Sequence, residues 1–313
     1  MPAGWEKRRE GDSTYTVRAK NIGGMDMDIK NIAVLGAGVM GHGIAQVCAQ
    51  EGYEVNLRDI KDEFVQSGIS KIKKFLSGSV EKQRMTQADA DAVVGRIKGM
   101  TDLKNAVKDV DLVIEAIVED INIKKATYKE LDQICRPDAI FASNTSAQSI
   151  TEMAMATKKP DKFIGMHFFN PAQLMRGVEV VVHEKTSKET RDTIVDLCKK
   201  LGKEPGVCQD SPGFVVNRLL QIWYNEGLNM YDEGIAAPVD IDTALKVAYN
   251  FRMGPFELRD LVGIDIGYAS TTTHYRELMR EQFRPPRCLI MKMKAGDLGR
   301  KTGKGFYEYK SGS

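Results

Sequence analysis

Residues 30–52 read KNIAVLGAGVMGHGIAQVCAQEG, and the fold follows from this stretch. KNIAVLGAG is a short apolar run ending in glycines, the pattern of a buried strand. VMGHGIAQVCAQEG reads as a helix closed by Gly52. Between them Gly36, Gly38 and Gly41 are spaced G-x-G-x-x-G. Alone that spacing is weak, but between a strand and a helix it is the fingerprint of a dinucleotide-binding turn. Gly36 permits the tight turn, Gly38 clears room for a pyrophosphate, and Gly41 lets the helix lie close on the strand. The pyrophosphate then sits at the helix N-terminus, where free N–H groups and the dipole favour negative charge. Val39 and Met40, which open the helix, complete the candidate cofactor residues of the loop.

The same fingerprint asks for an acid about 20 residues further on, at the end of the second strand. YEVNLRD (53–59) ends on Asp59. A carboxylate there accepts from both ribose hydroxyls and repels a 2′-phosphate, so NAD is expected over NADP. Arg58 beside it is the one residue that argues for the phosphate.

Outward from this unit, residues 61–82 carry Phe64, Val65, Ile69, Ile72, Phe75 and Leu76 at helical spacing. DLVIEAIV (111–118), AIFASN (139–144), KFIGMHF (162–168) and GVEVVV (177–182) read as further strands, with a helix after the first of them to about Arg136. Strands alternating with helices predict an α/β, doubly wound, mostly parallel sheet of Rossmann type. After DSPGF (210–214) the pattern becomes helical, and a strand is expected again only at GFYEY. The chain therefore divides into a nucleotide-binding domain over 27–210 and an all-helical domain over 211–313. Residues 1–26 are polar and without periodicity, an arm or an edge strand of open role, with Met25 or Met27 as alternative translation starts.

Composition narrows the function classes. The 313 residues carry a formal net charge of +2, which gives no case for nucleic-acid binding. Lysine groups at Lys71, Lys73 and Lys74, and at Lys301 and Lys304, read as solvated faces able to meet an anion. No apolar run approaches the ~18 residues of a membrane span, and no secretory signal opens the chain. The cysteines (Cys48, Cys135, Cys198, Cys208 and Cys288) lack paired spacing. Neither a disulfide framework nor a metal site is expected, and a reducing compartment, the cytoplasm, is. Cys48 reads as a core residue.

A dinucleotide fold supplies a cofactor but not a reaction. Oxidation of an alcohol needs a base for the hydroxyl proton, and histidine suits it because its pKa lies near neutrality. Of four histidines, His42 falls beside the pyrophosphate, His183 reads as a solvated strand edge, and His274 lies in the polar stretch TTTHYRE. His167 ends an apolar strand just before the turn Asn170–Pro171, at the sheet edge where open α/β folds bind ligands. Glu179 sits between Val178 and Val180 in the next strand, and a carboxylate in such a run is rarely buried without a partner. A His167–Glu179 pair across neighbouring strands satisfies both.

The segments NIAVLGAGVMGHGIAQ, EAIVEDINIKK, SNTS, GMHFFNP, SPGFVVNRLL, GPFELRDLVG and KTGKGFYEYK occur in this order. Together they resemble the NAD-dependent L-3-hydroxyacyl-CoA dehydrogenases of β-oxidation and butyrate metabolism, from residue 30 nearly to the end. The resemblance implies His167 as the catalytic base and Glu179 as its acidic partner, with Ser146 and Asn217 contacting the substrate near the reacting carbons. It places Glu119, Lys124 and Asn144 on the cofactor side with Asp59. It implies an acyl-CoA substrate, NAD as cofactor and a homodimer formed through the helical domain, with no nucleic-acid or membrane partner. It offers no counterpart for residues 1–26. The competing readings are a dehydrogenase of a free hydroxy acid such as a sugar acid, and a non-catalytic nucleotide-binding protein.

Overall fold

The computed structural model describes residues 29–309; the polar arm and its candidate start methionines lie outside them. Eight strands form one sheet: β1 Asn31–Leu35, β2 Glu54–Arg58, β3 Ile97–Met100, β4 Leu112–Glu115, β5 Ile140–Ser143, β6 Phe163–Phe168, β7 Gly177–Val182 and β8 Glu204–Gln209. Their order is β3-β2-β1-β4-β5-β6-β7-β8. All neighbours are parallel except β6 and β7, which run antiparallel.

The central strands are apolar because both of their faces are covered. Side chains alternate across a strand. Ile32 and Val34 enter one core with Ile44, Cys48 and Ile72, while Ala33 and Leu35 enter the other with Val113, Tyr128 and Phe141. The first core lies under helices α1 (Val39–Gln50), α2 (Asp62–Glu81) and α3 (Gln87–Gly95). The second lies under α4 (Leu103–Val107), α5 (Ile121–Ile134) and α6 (Ile150–Ala154). Helix α7 (Lys188–Lys200) returns the chain from β7 to β8.

Two strands carry no apolar run, and both are sheet edges. β3 is IKGM and β8 is EPGVCQ, and none of their residues is buried. Edge strands need only one buried face and tolerate Gly and Pro, so the pattern that marks β1 and β4 is missing there.

From α8 (Val216–Asp232) onward the chain is helical: α9 Pro238–Tyr249, α10 Pro255–Val262, α11 Ile264–Leu278 and α12 Arg287–Ala295. Leu228, Ile241, Phe256, Ile264 and Leu289 form a third core. GFYEY, expected as a strand, is a bent segment in which Glu308 makes only an isolated bridge to Lys304. The Phe306 and Tyr307 amides donate to the two oxygens of buried Asp260, both at 2.9 Å, so they are not available to a strand ladder.

Two glycines make the β1–α1 turn possible. Gly36 has φ +99°, and a Cβ there would lie 2.3 Å from the Ala116 carbonyl oxygen. A Cβ on Gly41 would lie 1.7 Å from the Gly36 carbonyl oxygen, closer than any backbone can yield. Gly41→Ala therefore forces α1 off β1. We expect a loss of about 1–3 kcal/mol in urea unfolding, together with weakened dinucleotide binding by fluorescence titration.

Candidate active site

A cavity of about 680 Å³ opens over the glycine turn, lined by Gly36, Gly38, Asp59, Phe64, Lys71 and Ile117 among others. A Cβ on Gly38 would meet nothing within 4 Å, so the backbone there faces open space. Asp59 is held on both oxygens: Ala37 N donates to Oδ2 and Ile60 N to Oδ1, each at 2.7 Å. Arg58 donates from Nε to the Thr101 carbonyl at 2.9 Å, which ties it toward β3. His42 keeps Nδ1 within 2.6 Å of the Gly38 carbonyl. A turn of backbone amides, a fixed carboxylate at the end of the neighbouring strand β2 and an apolar wall fit a dinucleotide.

At the far side of the sheet's C-terminal edge, β6 and β7 bring His167 directly opposite Glu179. The register is antiparallel, and Nδ1 of His167 lies 2.7 Å from Oε2 of Glu179. A carboxylate only accepts, so Nδ1 carries a proton, and in the neutral ring the lone pair is then on Nε2. His167 is 6% exposed and packs beside Phe169 and Phe214, at ring-centroid distances of 4.7 and 5.7 Å.

The other Glu179 oxygen accepts from Val215 N at 3.0 Å and Val216 N at 2.8 Å, the first turn of α8. Phe214, at φ +50°, makes the turn that aims these amides. Burial raises the Glu179 pKa, but the His167 hydrogen bond, the two amides and the His167 charge outweigh it, and the carboxyl ends below its ordinary range.

Ser146 and Asn217 meet across the two domains, where the Asn217 Nδ2 donates to the Ser146 carbonyl at 3.3 Å. Ser146 is exposed and Asn217 half-buried, so both are open to a ligand. Asn144 accepts from Phe168 N through Oδ1 at 2.9 Å, which pins the end of β5 to the strand of His167.

Glu119 and Lys124 are not the solvated helix-start charges that their position alone suggests. Lys124 is 1% exposed, with Nζ 2.6 Å from Glu115 and 3.1 Å from Glu119. Glu119 also accepts from Thr145 Oγ1, from Ser146 N at 3.0 Å and from Ala147 N at 3.2 Å. Burial raises its pKa, but Lys124 and these donors bring the carboxyl below the usual range. The same network holds Glu115, fully buried, which accepts from Ser143 Oγ at 2.7 Å and Tyr128 Oη at 3.3 Å. Burial and the Glu115 charge push the Tyr128 phenol well up. Glu115 was legible in principle. It is an acid inside DLVIEAIV, the same signal that singles out Glu179.

One histidine reading needs correction. His183 is not a solvated edge but is buried, with Nε2 3.0 Å from the Pro160 carbonyl. His274 is buried too, stacked on Phe283. Cys48 lies in the core as expected, and all five cysteines are free. Lys71 lines the cofactor cavity, while Lys301 and Lys304 pair with Asp265 and Asp297. Among the described residues, no cluster of three or more His, Cys, Asp or Glu is placed to hold a metal. No helix there is long and apolar enough to cross a membrane.

The cavity over the glycine turn and the histidine–carboxylate pair lie along one sheet edge, an arrangement that fits an oxidoreductase with a nucleotide cofactor. Residues 31–211 match the model of the 3-hydroxyacyl-CoA dehydrogenase NAD binding domain, and residues 213–309 that of the 3-hydroxyacyl-CoA dehydrogenase C-terminal domain. A probable 3-hydroxybutyryl-CoA dehydrogenase of Deinococcus radiodurans is 45% identical over 276 residues, 88% of this chain and 99% of the relative. The 3-hydroxybutyryl-CoA dehydrogenase of Clostridioides difficile is 42% identical over 278 residues, 89% of this chain and 99% of the relative. The crystal structure of (S)-3-hydroxybutyryl-CoA dehydrogenase from Ralstonia eutropha superposes with a TM-score of 0.89 at 40% identity, across 91% of this chain and 100% of that one. The chain belongs to the 3-hydroxyacyl-CoA dehydrogenase family. It is an NAD-dependent oxidoreductase acting on CH–OH groups.

The buried Lys124 tests the network beneath the site. Lys124→Met removes the cation from buried Glu115, and should lower stability by about 3–5 kcal/mol in chemical denaturation. Lys124→Met combined with Glu115→Gln should recover part of that loss.

Proposed function

We propose that the protein oxidises (S)-3-hydroxyacyl-CoA reversibly to 3-oxoacyl-CoA, with His167 as general acid/base. The observation that carries this reading is the 2.7 Å contact between His167 Nδ1 and Glu179. It leaves Nε2 as the only ring atom able to take a proton. His167 removes the 3-hydroxyl proton at Nε2 and returns it to the developing alkoxide in the reverse direction. Glu179 holds the tautomer and stabilises the imidazolium. Ser146 and Asn217 hold the substrate oxygens at the junction of the domains, which fixes the reacting geometry.

The bound cofactor would supply the acceptor for the hydride that leaves carbon 3. Gly36, Gly38, Val39, Met40 and Gly41 would hold its pyrophosphate, and Asp59 its ribose. Glu119, Lys124 and Asn144 would shape the nicotinamide side, Glu119 by fixing the Thr145–Ala147 loop through its hydrogen bonds.

The names of the relatives favour short acyl chains. The helical domain forms a homodimer in this reading, supported by exposed apolar side chains such as Val247, Tyr249 and Met279. Five unpaired cysteines support a reducing compartment such as the cytoplasm.

The test is NADH oxidation with acetoacetyl-CoA. His167→Ala should lower kcat by roughly 10²–10⁴-fold. Glu179→Gln should lower it by about 10–100-fold, the worth of a charge-assisted hydrogen bond of about 1.5–3 kcal/mol. Wild-type activity on a free hydroxy acid but not on the CoA ester would overturn the substrate assignment.

Glu179 also makes a pH prediction. Its carboxyl lies lower in the folded chain than its ordinary 4.5. Its stabilising contribution is therefore complete above about 4.5 and is lost as pH falls through the lower folded value. Urea midpoints measured from pH 5 downward should fall less steeply in Glu179→Gln than in wild type.

A further inference from the structure

A second cavity, of about 390 Å³, lies in the helical domain and shares no lining residue with the cofactor cavity. It is far from the reacting end. From Asn217 to Tyr231, helix α8 rises about 21 Å. Tyr231 meets Phe306 at 6.3 Å between ring centroids, and the next residue, Tyr307, lines the cavity.

The charged side chains that line this cavity do not balance. Lys246, Arg252 and Arg300 line it against one carboxylate, Glu257. Glu257 is already committed: it pairs with Lys246, and its other oxygen accepts from Gly254 N at 3.3 Å, capping α10. Arg300 lies 5.4 Å over the Tyr309 ring, a contact that leaves its charge without a carboxylate. Arg252 makes no hydrogen bond or ion pair among the described residues.

The two phenols point their hydroxyl protons away from any ligand. Tyr307 donates to Asp242 at 2.7 Å and Tyr309 to Asp260 at 3.0 Å. Burial and the carboxylates push both phenols up, Tyr309 to about 12, so neither becomes a competing anion. The cavity thus offers two guanidinium forks and two aromatic walls, with three cations to one carboxylate among its lining side chains and Asp242 and Asp260 set behind the tyrosines.

Guanidinium forks match the oxygens of a phosphate better than a point charge does. A cavity of this size holds more than a single small ion. We propose that it binds a phosphomonoester dianion, with Arg252 and Arg300 taking the phosphate oxygens and the tyrosine rings bounding the group that carries it. The phosphate comes either from the 3′-position of coenzyme A or from a free phosphate compound such as a nucleoside monophosphate.

The test is calorimetric titration of the NADH-saturated protein at constant ionic strength, with inorganic phosphate, AMP, coenzyme A and dephospho-coenzyme A as probes. Inorganic phosphate and AMP are expected to bind one site. Arg252→Gln and Arg300→Gln should each weaken that binding tenfold or more, and Lys98→Gln, on distant β3, should leave it unchanged. Both arginines are exposed, so these variants keep the core intact. A preference for coenzyme A over its dephospho form that Arg252→Gln abolishes identifies the 3′-phosphate as the natural group. Equal affinity for those two, with AMP still lost in Arg252→Gln, identifies a free phosphate compound. No binding of phosphate, or weak binding that Arg252→Gln and Lys98→Gln alter alike, overturns the proposal. Because NADH occupies the cofactor cavity and no turnover is read, failure here leaves the dehydrogenase reading untouched.

Discussion

Everything at the sheet's active edge depends on how one buried carboxylate is shared. Glu179 gives one oxygen to His167 and the other to the amides of Val215 and Val216. The first bond orients a ring. The second caps α8, whose first turn has no side-chain cap of its own. A single anion therefore fixes the imidazole and the entry of the helical domain together. Asn217, one residue beyond the capped amides, reaches Ser146 from that position. The one antiparallel step among the described strands makes this possible, because it sets Glu179 beside His167 in register.

A second buried carboxylate works in the same way on the cofactor side. Glu115 gathers Lys124, Ser143 and Tyr128, and Lys124 in turn holds Glu119 against the backbone of Ser146 and Ala147. In both cases one buried carboxylate takes hydrogen bonds from several elements at once. The active edge is thus built from anions whose partners lie far apart in the chain. Removing either anion disturbs more than one element.

How much of this was legible depended on whether a signal was local. The glycine turn, the central strands and Asp59 follow from patterns within about 30 residues, because both-sided burial forces continuous apolar runs. His167 and Glu179 were legible as a pair because each stands out as a polar residue within an apolar strand. Glu115 carried the same mark and was passed over. The edge strands β3 and β8 were not legible, since exposed residues there are under no hydrophobic constraint. GFYEY misled because its aromatic residues suit a strand equally well, and only the distant carboxylate of Asp260 decides its shape.

By itself, the sequence determined the dinucleotide turn, the alternating α/β layers, the change to helices near residue 210 and the identity of the histidine that faces a carboxylate. These are consequences of periodicity, glycine geometry and the reluctance of a charge to be buried alone. Only the tertiary structure decided that α8 is capped by Glu179, that Lys124 is buried between two carboxylates, that His183 and His274 are interior, and that Arg252 and Arg300 share one cavity. Each of those depends on which distant residue lies within a few ångströms. Charge pairing acts through space, and no local pattern along the chain records it.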